Sequence, residues 1–172
     1  FSNLIFYPNK NEIFKMKKVE IDLGGIAKGY IIDKCINVLK KNKVKAGIVE
    51  IGGDLYAYGK KWTVGIQNPF SKKTTISINI KNKAIVTSGN YQRFFRKNNK
   101  IYSHIINPNT LRPVIVPARS VTVIGPNTAV ADALATGLFV LGPKKSQEII
   151  NNFKDYSFLF LFSYFFFFSS FL

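Results

Sequence analysis

Short segments with the pattern of β-strands, separated by turn residues, fill the middle of this chain. Apolar and polar residues alternate over residues 75–80, a turn is expected at residues 81–83, and an apolar segment then returns, which predicts a β-hairpin. A second hairpin is predicted with its turn at residues 98–99. Because few helical segments accompany these strands, the sequence predicts an α+β fold with an antiparallel or mixed sheet and packed helices.

Three helices are predicted. Residues 19–22 are expected to form a short strand, after which apolar residues recur at steps of three and four, as on the buried face of a helix. That face comprises Ile26, Tyr30, Ile31, Cys35, Val38 and Leu39. An alanine-rich second helix is expected from Thr128, its cap, to Gly142, and a third helix over residues 145–153.

The composition indicates one globular domain with an unusual charge. The 172 residues are 47% hydrophobic and 20% charged, enough to bury a sizeable core. A net charge of +16 suits an anionic partner such as nucleic acid, a membrane surface or an anionic substrate. The lysines are scattered without interleaved aromatic residues that could stack on bases, so compositional bias is favoured and no nucleic-acid partner is expected. One cysteine and one histidine exclude an intrachain disulfide and a zinc cluster built from this chain alone.

Both ends of the chain are unusual. It begins at Phe1 without the charged region and cleavage site of a signal peptide, which indicates a fragment. From Tyr156 onward it contains almost only Phe, Leu, Ser and Tyr. A core strand followed by a low-complexity tail is favoured over a membrane anchor for this segment. The expected organisation is therefore one domain over residues 1–155 and a Phe-rich strand and tail over residues 156–172.

The stretch DLGGIAKGY, residues 22–30, carries more glycine than a strand-to-helix connection requires. Glycines at a helix N-terminus leave backbone N–H groups open to a close ligand, and phosphate is the usual one. Lys28 would add a positive charge for the same anion. A tight turn with an exposed lysine is the alternative that the spacing alone leaves open.

The stretch ADALATG places an acid and an alcohol on one face of the second predicted helix. Asp132 and Thr136 are four residues apart, and their oxygens suit a hard cation such as Mg²⁺. An acid among Ala, Leu and Val needs a partner, which favours a metal over an exposed or capping role.

Two further stretches carry reactive groups. SHIINPNT contains His104, the only histidine of the chain. An imidazole side chain can act as a base near neutral pH, although a lone histidine is more often structural. VTSGNYQRFF ends a strand with Thr87 and Ser88, which could line an anionic pocket or form a polar hairpin end.

Taken in order, five blocks resemble the ApbE-type FAD:protein FMN transferases: DLGGIAKGY, IGGDLYAYG, VTSGNYQRFF, HIINPNTLRP and ADALATGLFVLG. The resemblance extends from about Val19 to Gly142. It implies an ApbE-like, T-fold-like domain. It also implies an enzyme that cleaves the pyrophosphate of FAD with a divalent metal and transfers FMN to a threonine or serine hydroxyl of an acceptor flavoprotein, releasing AMP.

The resemblance also implies site residues. The metal ligands would be the backbone carbonyl of Gly25 and the side chains of Asp132 and Thr136, while Ala135 replaces an acid that some relatives have. Positions that resemble FAD contacts are Asp22, Lys28 and Ile106. His104 would help to activate the acceptor hydroxyl, and Asp54 would border the site.

Departures from the family pattern shape the remaining expectations. Asn107 and Leu111 stand where relatives have an acid and a glycine after the histidine, and relatives carry a further N-terminal lobe that contacts the flavin. A binding or FAD-hydrolysing relative is therefore the runner-up, and a basic nucleic-acid-binding domain a more distant alternative. The resemblance implies a location in the bacterial periplasm, with membrane association through a lipid anchor outside this chain.

Overall fold

A computed structural model describes residues 3–69, 71, 73–89, 94–97, 100–114, 118–162 and 166–170 of the chain. The strands are β1 (Leu4–Tyr7), β2 (Glu12–Lys15), β3 (Gly47–Ile51), β4 (Asp54–Tyr58), β5 (Trp62–Gln67), β6 (Thr74–Ile80), β7 (Lys83–Gly89), β8 (Phe94–Lys97), β9 (Lys100–Ser103), β10 (Ile106–Asn107), β11 (Arg112–Pro113), β12 (Ser120–Gly125), β13 (Ser157–Leu161) and β14 (Phe166–Ser170). The two α-helices are α1 (Ala27–Lys41) and α2 (Thr128–Ile150).

Six strands form the main sheet in the order β14-β13-β12-β7-β4-β3, and each neighbouring pair is antiparallel. Four separate two-stranded ladders, β1–β2, β5–β6, β8–β9 and β10–β11, are also antiparallel. The predicted α+β fold with an antiparallel sheet and a few packed helices is therefore confirmed. The predicted pairing around residues 98–99 is confirmed as β8–β9, although its turn lies outside the described residues.

The turn between β3 and β4 is determined by two glycines. Gly52 and Gly53 have φ values of +59° and +92°, a conformation that side chains with a Cβ adopt at a cost. Two successive residues with positive φ suit a tight hairpin whose twist matches that of its strands. The Gly53 N–H donates to Glu50 Oε1 at 2.5 Å, and Asp54 follows directly as the first residue of β4.

The main sheet separates two apolar layers, which follow the alternation of side chains along its strands. On β13, Phe158 and Phe160 join the large core cluster that contains the buried residues of both helices. Leu159 and Leu161 instead pack with Ile66 of β5 on the opposite face. The helices therefore cover one face of the main sheet and the β5–β6 ladder packs on the other.

The predicted hairpin over residues 75–89 is wrong in its pairing. Its two strands exist as β6 and β7, but β6 pairs with β5, and β7 pairs with β4 and β12. The connection at Lys81 and Asn82 carries the chain from one layer to the other, and Ile80 and Ile85 meet in the same apolar cluster. Alternation identified both strands, but it does not identify the partner of a strand.

The predicted strand over residues 19–22 is also wrong. Asp22 Oδ1 accepts a hydrogen bond from the Gly24 N–H at 2.6 Å, so the aspartate stabilises a turn through its own backbone. Ile21 and Leu23 are 51% and 60% exposed. Local turn formation replaces strand pairing in this segment.

The helix predicted after the glycines is confirmed as α1, but of the predicted buried face only Leu39 packs against the core. The buried residues of α1 are Gly29, Ile32 and Ile36, whereas Tyr30 is 54% exposed and Cys35 is exposed, not in the core as expected. The buried stripe contains a glycine because α1 approaches α2 closely. Hydrophobic periodicity alone therefore selects the neighbouring, more apolar stripe.

Helix α2 begins one residue away from the predicted cap. Asn127, not Thr128, is the N-cap, and its side chain accepts from the Val130 N–H at 2.8 Å. Gly142 has a φ of +72° and interrupts the helix before Pro143, so the two halves correspond to the second and third predicted helices.

The strand predicted at the start of the Phe-rich segment is confirmed as β13, which pairs with β12 and β14. The division of the chain at residue 155 stays a prediction. Within the described part of the chain, neither helix combines the length and the hydropathy that crossing a membrane requires.

Candidate functional site

The candidate site lies where the beginning of α1 and the loop before it meet the first three turns of α2. Gly29 makes this approach possible: a Cβ added to it would lie 2.4 Å from the Thr128 carbonyl oxygen and 2.7 Å from the Ala129 Cα. The backbones of the two helices are therefore in direct contact. Only glycine permits that distance.

Asp132 is held in this crossing by the backbone of α1. Asp132 is only 2% exposed, and its Oδ2 accepts a hydrogen bond from the Gly29 N–H at 3.0 Å. Within the described residues, no donor is bonded to the other carboxylate oxygen, Oδ1. Among the described residues, the fully buried side-chain oxygens without a partner are those of Ser120 and Thr128, so Asp132 Oδ1 keeps some access and can bind a cation or a donor.

Thr136 brings a second oxygen to the same place. It lies one helical turn after Asp132, and its Oγ1 is 3.1 Å from Ser88 Oγ of β7. A Cβ added to Gly25 would lie 3.2 Å from Thr136 Cγ2 and 3.4 Å from Thr136 Oγ1. The loop before α1 is therefore packed against this threonine, and the three positions predicted to bind metal lie together. Their role as ligands stays a prediction.

The oxygen types in this crossing suit a hard cation, but with only one carboxylate. No group of three or more His, Cys, Asp or Glu residues that could hold a metal occurs in the described ranges. A cation held between Asp132 and Thr136 would therefore draw its other ligands from neutral oxygens, water or an anionic substrate.

Lys28 and Asp54 form an ion pair beside the crossing. Asp54, 1% exposed, also accepts a hydrogen bond at Oδ1 from the Thr87 N–H at 3.1 Å, so it links β4, β7 and α1. The Lys28 side chain is 38% exposed and can contact a ligand from outside. Burial raises the pKa of the Asp54 carboxyl above 3.8, while Lys28 and the Thr87 N–H oppose that rise.

The raised pKa of Asp54 predicts a pH dependence of stability. Because its pKa is raised, Asp54 binds a proton more tightly in the folded chain than in the unfolded chain. The protonated carboxyl therefore adds to the free energy of unfolding at low pH, and this stabilisation is lost as the pH rises from 3.8 through the folded-state pKa. We expect the free energy of unfolding of the wild type to rise relative to that of Asp54→Asn as pH is lowered from about 7 to about 4. Urea unfolding of both proteins across this range measures the difference, and a difference independent of pH would contradict it.

The other predicted site residues lie near β10 and in the turn before α1. His104 lies between β9 and β10, exposed to solvent, and Ile106 begins β10 with 48% of its surface exposed. Ile105, between them, packs against the main core, and its N–H donates to Ser103 Oγ at 3.1 Å. Asp22 stabilises the turn before α1. The roles predicted for His104, Ile106 and Asp22 stay predictions.

A cavity of about 170 Å³ lies on the opposite face of the main sheet, towards the β5–β6 ladder. Its walls include Val64, Ile66 and Ile85, and it reaches Thr87. Thr87, which was predicted to line either an anionic pocket or a polar hairpin end, does line this cavity, whereas none of the residues predicted to bind metal, bind FAD or act as a base does.

Sequence reasoning missed Gly29 and Asp33. The Asp33 carboxylate accepts from the N–H groups of Thr128 and Ala129 at 3.0 and 2.9 Å, so it caps α2 from a different helix. The signal was present in the sequence, because Gly29 and Asp33 are four residues apart and share the face of α1 that carries the buried Ile32 and Ile36. A glycine and an acid on a buried face indicate a close backbone contact.

Comparison with known proteins identifies the class of protein to which this fold and helix crossing belong. The chain belongs to the ApbE family, whose model matches residues 1–160. Among solved structures, the ApbE protein from Thermotoga maritima superimposes with a TM-score of 0.84 at 32% identity, covering 94% of this chain and 54% of that protein. The flavin transferase ApbE from Vibrio cholerae gives a TM-score of 0.81 at 30% identity, covering 98% of this chain and 56% of that protein.

Curated relatives carry a functional name. The FAD:protein FMN transferase of Treponema pallidum (strain Nichols) is 35% identical over 159 residues, which cover 84% of this chain and 44% of the relative. The FAD:protein FMN transferase of Escherichia coli (strain K12) is 35% identical over 137 residues, covering 76% of this chain and 39% of the relative. The chain thus spans less than half the length of these two relatives.

Proposed function

We propose that this chain provides the metal and pyrophosphate end of an FAD:protein FMN transferase site, and that it transfers FMN from FAD to a threonine or serine hydroxyl of an acceptor flavoprotein, releasing AMP. The observation that supports this most is the meeting of Gly25, Asp132 and Thr136 beside Lys28 at one helix crossing. The names of the relatives support the reaction type.

Mg²⁺ is the proposed metal, because the side-chain carboxylate of Asp132, the hydroxyl of Thr136 and the carbonyl of Gly25 are oxygen ligands of the kind it prefers. When bound, the metal supplies positive charge that offsets the charge of the pyrophosphate and of the leaving AMP oxygen. The protein holds the carboxylate ready through the Gly29 N–H, and Ser88 orients the hydroxyl.

Lys28 is proposed to bind the pyrophosphate oxygens. Its ammonium lies on the first turn of α1, where the positive end of the helix dipole also favours an anion. The buried Asp54 carboxylate fixes the position of the ammonium group, and its hydrogen bond from Thr87 anchors that carboxylate to the main sheet. The partial exposure of Lys28 leaves room for a substrate on its outer side.

His104 is proposed to activate the acceptor. The acceptor oxygen forms a bond to the phosphorus of the FMN moiety, the bond from that phosphorus to the AMP oxygen breaks, and the hydroxyl proton passes to the imidazole. A solvent-exposed position suits this role, because the hydroxyl arrives on another protein. Ile106 and Asp22 are proposed as further FAD contacts, and the periplasmic side of a bacterial membrane as the location.

Mass spectrometry of an acceptor flavoprotein tests this function. We expect incubation of the chain with FAD, Mg²⁺ and the acceptor to add one FMN phosphoryl group to the target hydroxyl, and to produce AMP. Addition of EDTA, or replacement of the target Thr or Ser by Ala in the acceptor, should abolish the adduct. Free FMN and AMP without an adduct would indicate FAD hydrolysis instead, and the absence of all three products would contradict the proposal.

A further inference from the structure

The first turn of α2 is capped by two different parts of the chain. Apart from the N-cap itself, the N–H groups of the first three helical residues have no intrahelical acceptor. Asn127 satisfies the third of them, the Val130 N–H, from the same strand–helix connection. The other two, on Thr128 and Ala129, both donate to the carboxylate of Asp33 on α1. Two of the three caps therefore come from a residue 95 positions earlier in the sequence.

Each of the two helices uses a carboxylate to accept hydrogen bonds from the backbone of the other, an arrangement called here the reciprocal carboxylate bonds. Asp33 of α1 binds the backbone N–H groups of α2, and Asp132 of α2 binds the Gly29 N–H of α1. Gly29 and Asp33 are one turn apart, so these bonds join consecutive turns of α1 to α2. The carboxylate of Asp33 also lies at the positive end of the α2 dipole, which strengthens this link. Together the bonds fix the rotation and the translation of one helix against the other.

That fixed geometry sets the distances within the proposed metal site. Asp132 and Thr136 lie on α2, one and two turns beyond the cap, whereas Gly25 and Lys28 belong to the loop and first turn of α1. Gly25 stays beside Thr136, with room for no more than a tight Cβ between them, only while the helices keep this crossing. We propose that Asp33 is a positioning residue for the metal and pyrophosphate site, acting through the first turn of α2. The inference rests on the proposed function.

Asn127 offers a matched control, because it caps the same helix end without linking it to α1. Replacing Asp33 with Asn puts an NH₂ group against one of the two N–H donors and removes the charge. Replacing Asn127 with Ala removes a cap but leaves the reciprocal carboxylate bonds between the helices intact. Each change is expected to lower the Tm by about 2–4 °C, as the loss of a helix cap does. Only the Asp33 change should affect the metal.

The test uses Mn²⁺ as a paramagnetic probe of the site. Titration of the full chain with Mn²⁺, followed by the electron paramagnetic resonance signal of the free ion, measures affinity without catalysis. Mn²⁺ should bind Asp33→Asn about tenfold more weakly than the wild type, the low end of the effect of removing an outer-shell partner. The Asn127→Ala protein should stay within about twofold of the wild type, since it keeps the helix crossing.

The outcomes separate this inference from the proposed function. Equal losses of affinity in the Asp33 and Asn127 variants, or no loss in either, would overturn the positioning role. Failure of the wild type to bind Mn²⁺ above the level of Asp132→Asn would overturn it too. If the wild type binds Mn²⁺ and Asp33→Asn binds it about tenfold more weakly, the positioning role holds even where no FMN adduct forms. In that case the transferase function alone would fail.

Discussion

On the proposed function, we expect replacement of Asp132 with Asn to lower the rate of FMN transfer by at least about 100-fold, because a change to a proposed metal ligand should cost at least as much as a change to its supporting shell. The substitution is nearly isosteric. The amide oxygen of Asn can still accept from the Gly29 N–H, the bond that Asp132 makes at 3.0 Å. The variant therefore loses the negative charge that would hold the cation and keeps the helix crossing.

The stability of the same variant serves as its internal control. The hydrogen bond from Gly29 changes from charged to neutral, so the free energy of unfolding should fall by no more than about 1 kcal/mol. Thr136→Ser, which keeps the hydroxyl at the second proposed ligand, should retain activity within about threefold. Rates are measured from formation of the FMN adduct at several Mg²⁺ concentrations. If the Asp132→Asn protein were as active as the wild type, the proposal that Asp132 binds the metal would be wrong.

Replacing Gly29 with Ala destabilises the fold by about 3 kcal/mol or more, at the upper end of the cost of overpacking. The added methyl would lie 2.4 Å from the Thr128 carbonyl oxygen and 2.7 Å from the Ala129 Cα. Both are backbone atoms of α2, so no side-chain rotation can relieve the clash. The helices must separate, which also breaks the hydrogen bond from Gly29 to Asp132.

Gly137 provides the matched glycine on the other helix. An added methyl at Gly137 meets no atom within 4 Å in the described structure, so Gly137→Ala should stabilise the chain by about 0.5–1 kcal/mol through the helix propensity of alanine. Urea unfolding of both variants, with the m-value monitored, measures the two free energies. A loss of less than about 1 kcal/mol in Gly29→Ala would mean that the two backbones are not in contact.

Prediction from sequence succeeded where a pattern is local. The four-residue spacing of Asp132 and Thr136 places them on one face of a helix whatever the tertiary structure, and the structure directs that face towards Gly25. The strand patterns were equally local, and β6, β7 and β13 exist where they were expected. Family resemblance, and not spacing, supplied the expectation that the loop before α1 meets α2.

Prediction failed where the answer depends on contacts between distant segments. Strand β6 pairs with β5 rather than β7 because the chain changes layers at Lys81 and Asn82, and alternation within β6 contains no information about that change. The buried face of α1 was misjudged for the same reason. Close packing against α2 favours Gly29 and a half-buried Asp33 there, and leaves Tyr30 and Cys35 on the surface.

The reciprocal carboxylate bonds join α1 and α2 across sequence separations of 95 positions (Asp33 to Thr128) and 103 positions (Gly29 to Asp132). Strands β3 to β12 lie between these segments in the sequence. Bringing such distant segments together has a large loop-closure cost unless the intervening sheet has already shortened the path. We therefore expect the proposed cation site to assemble late as the polypeptide folds. The affinity of a newly synthesised chain for a divalent ion would then indicate whether the chain has folded completely.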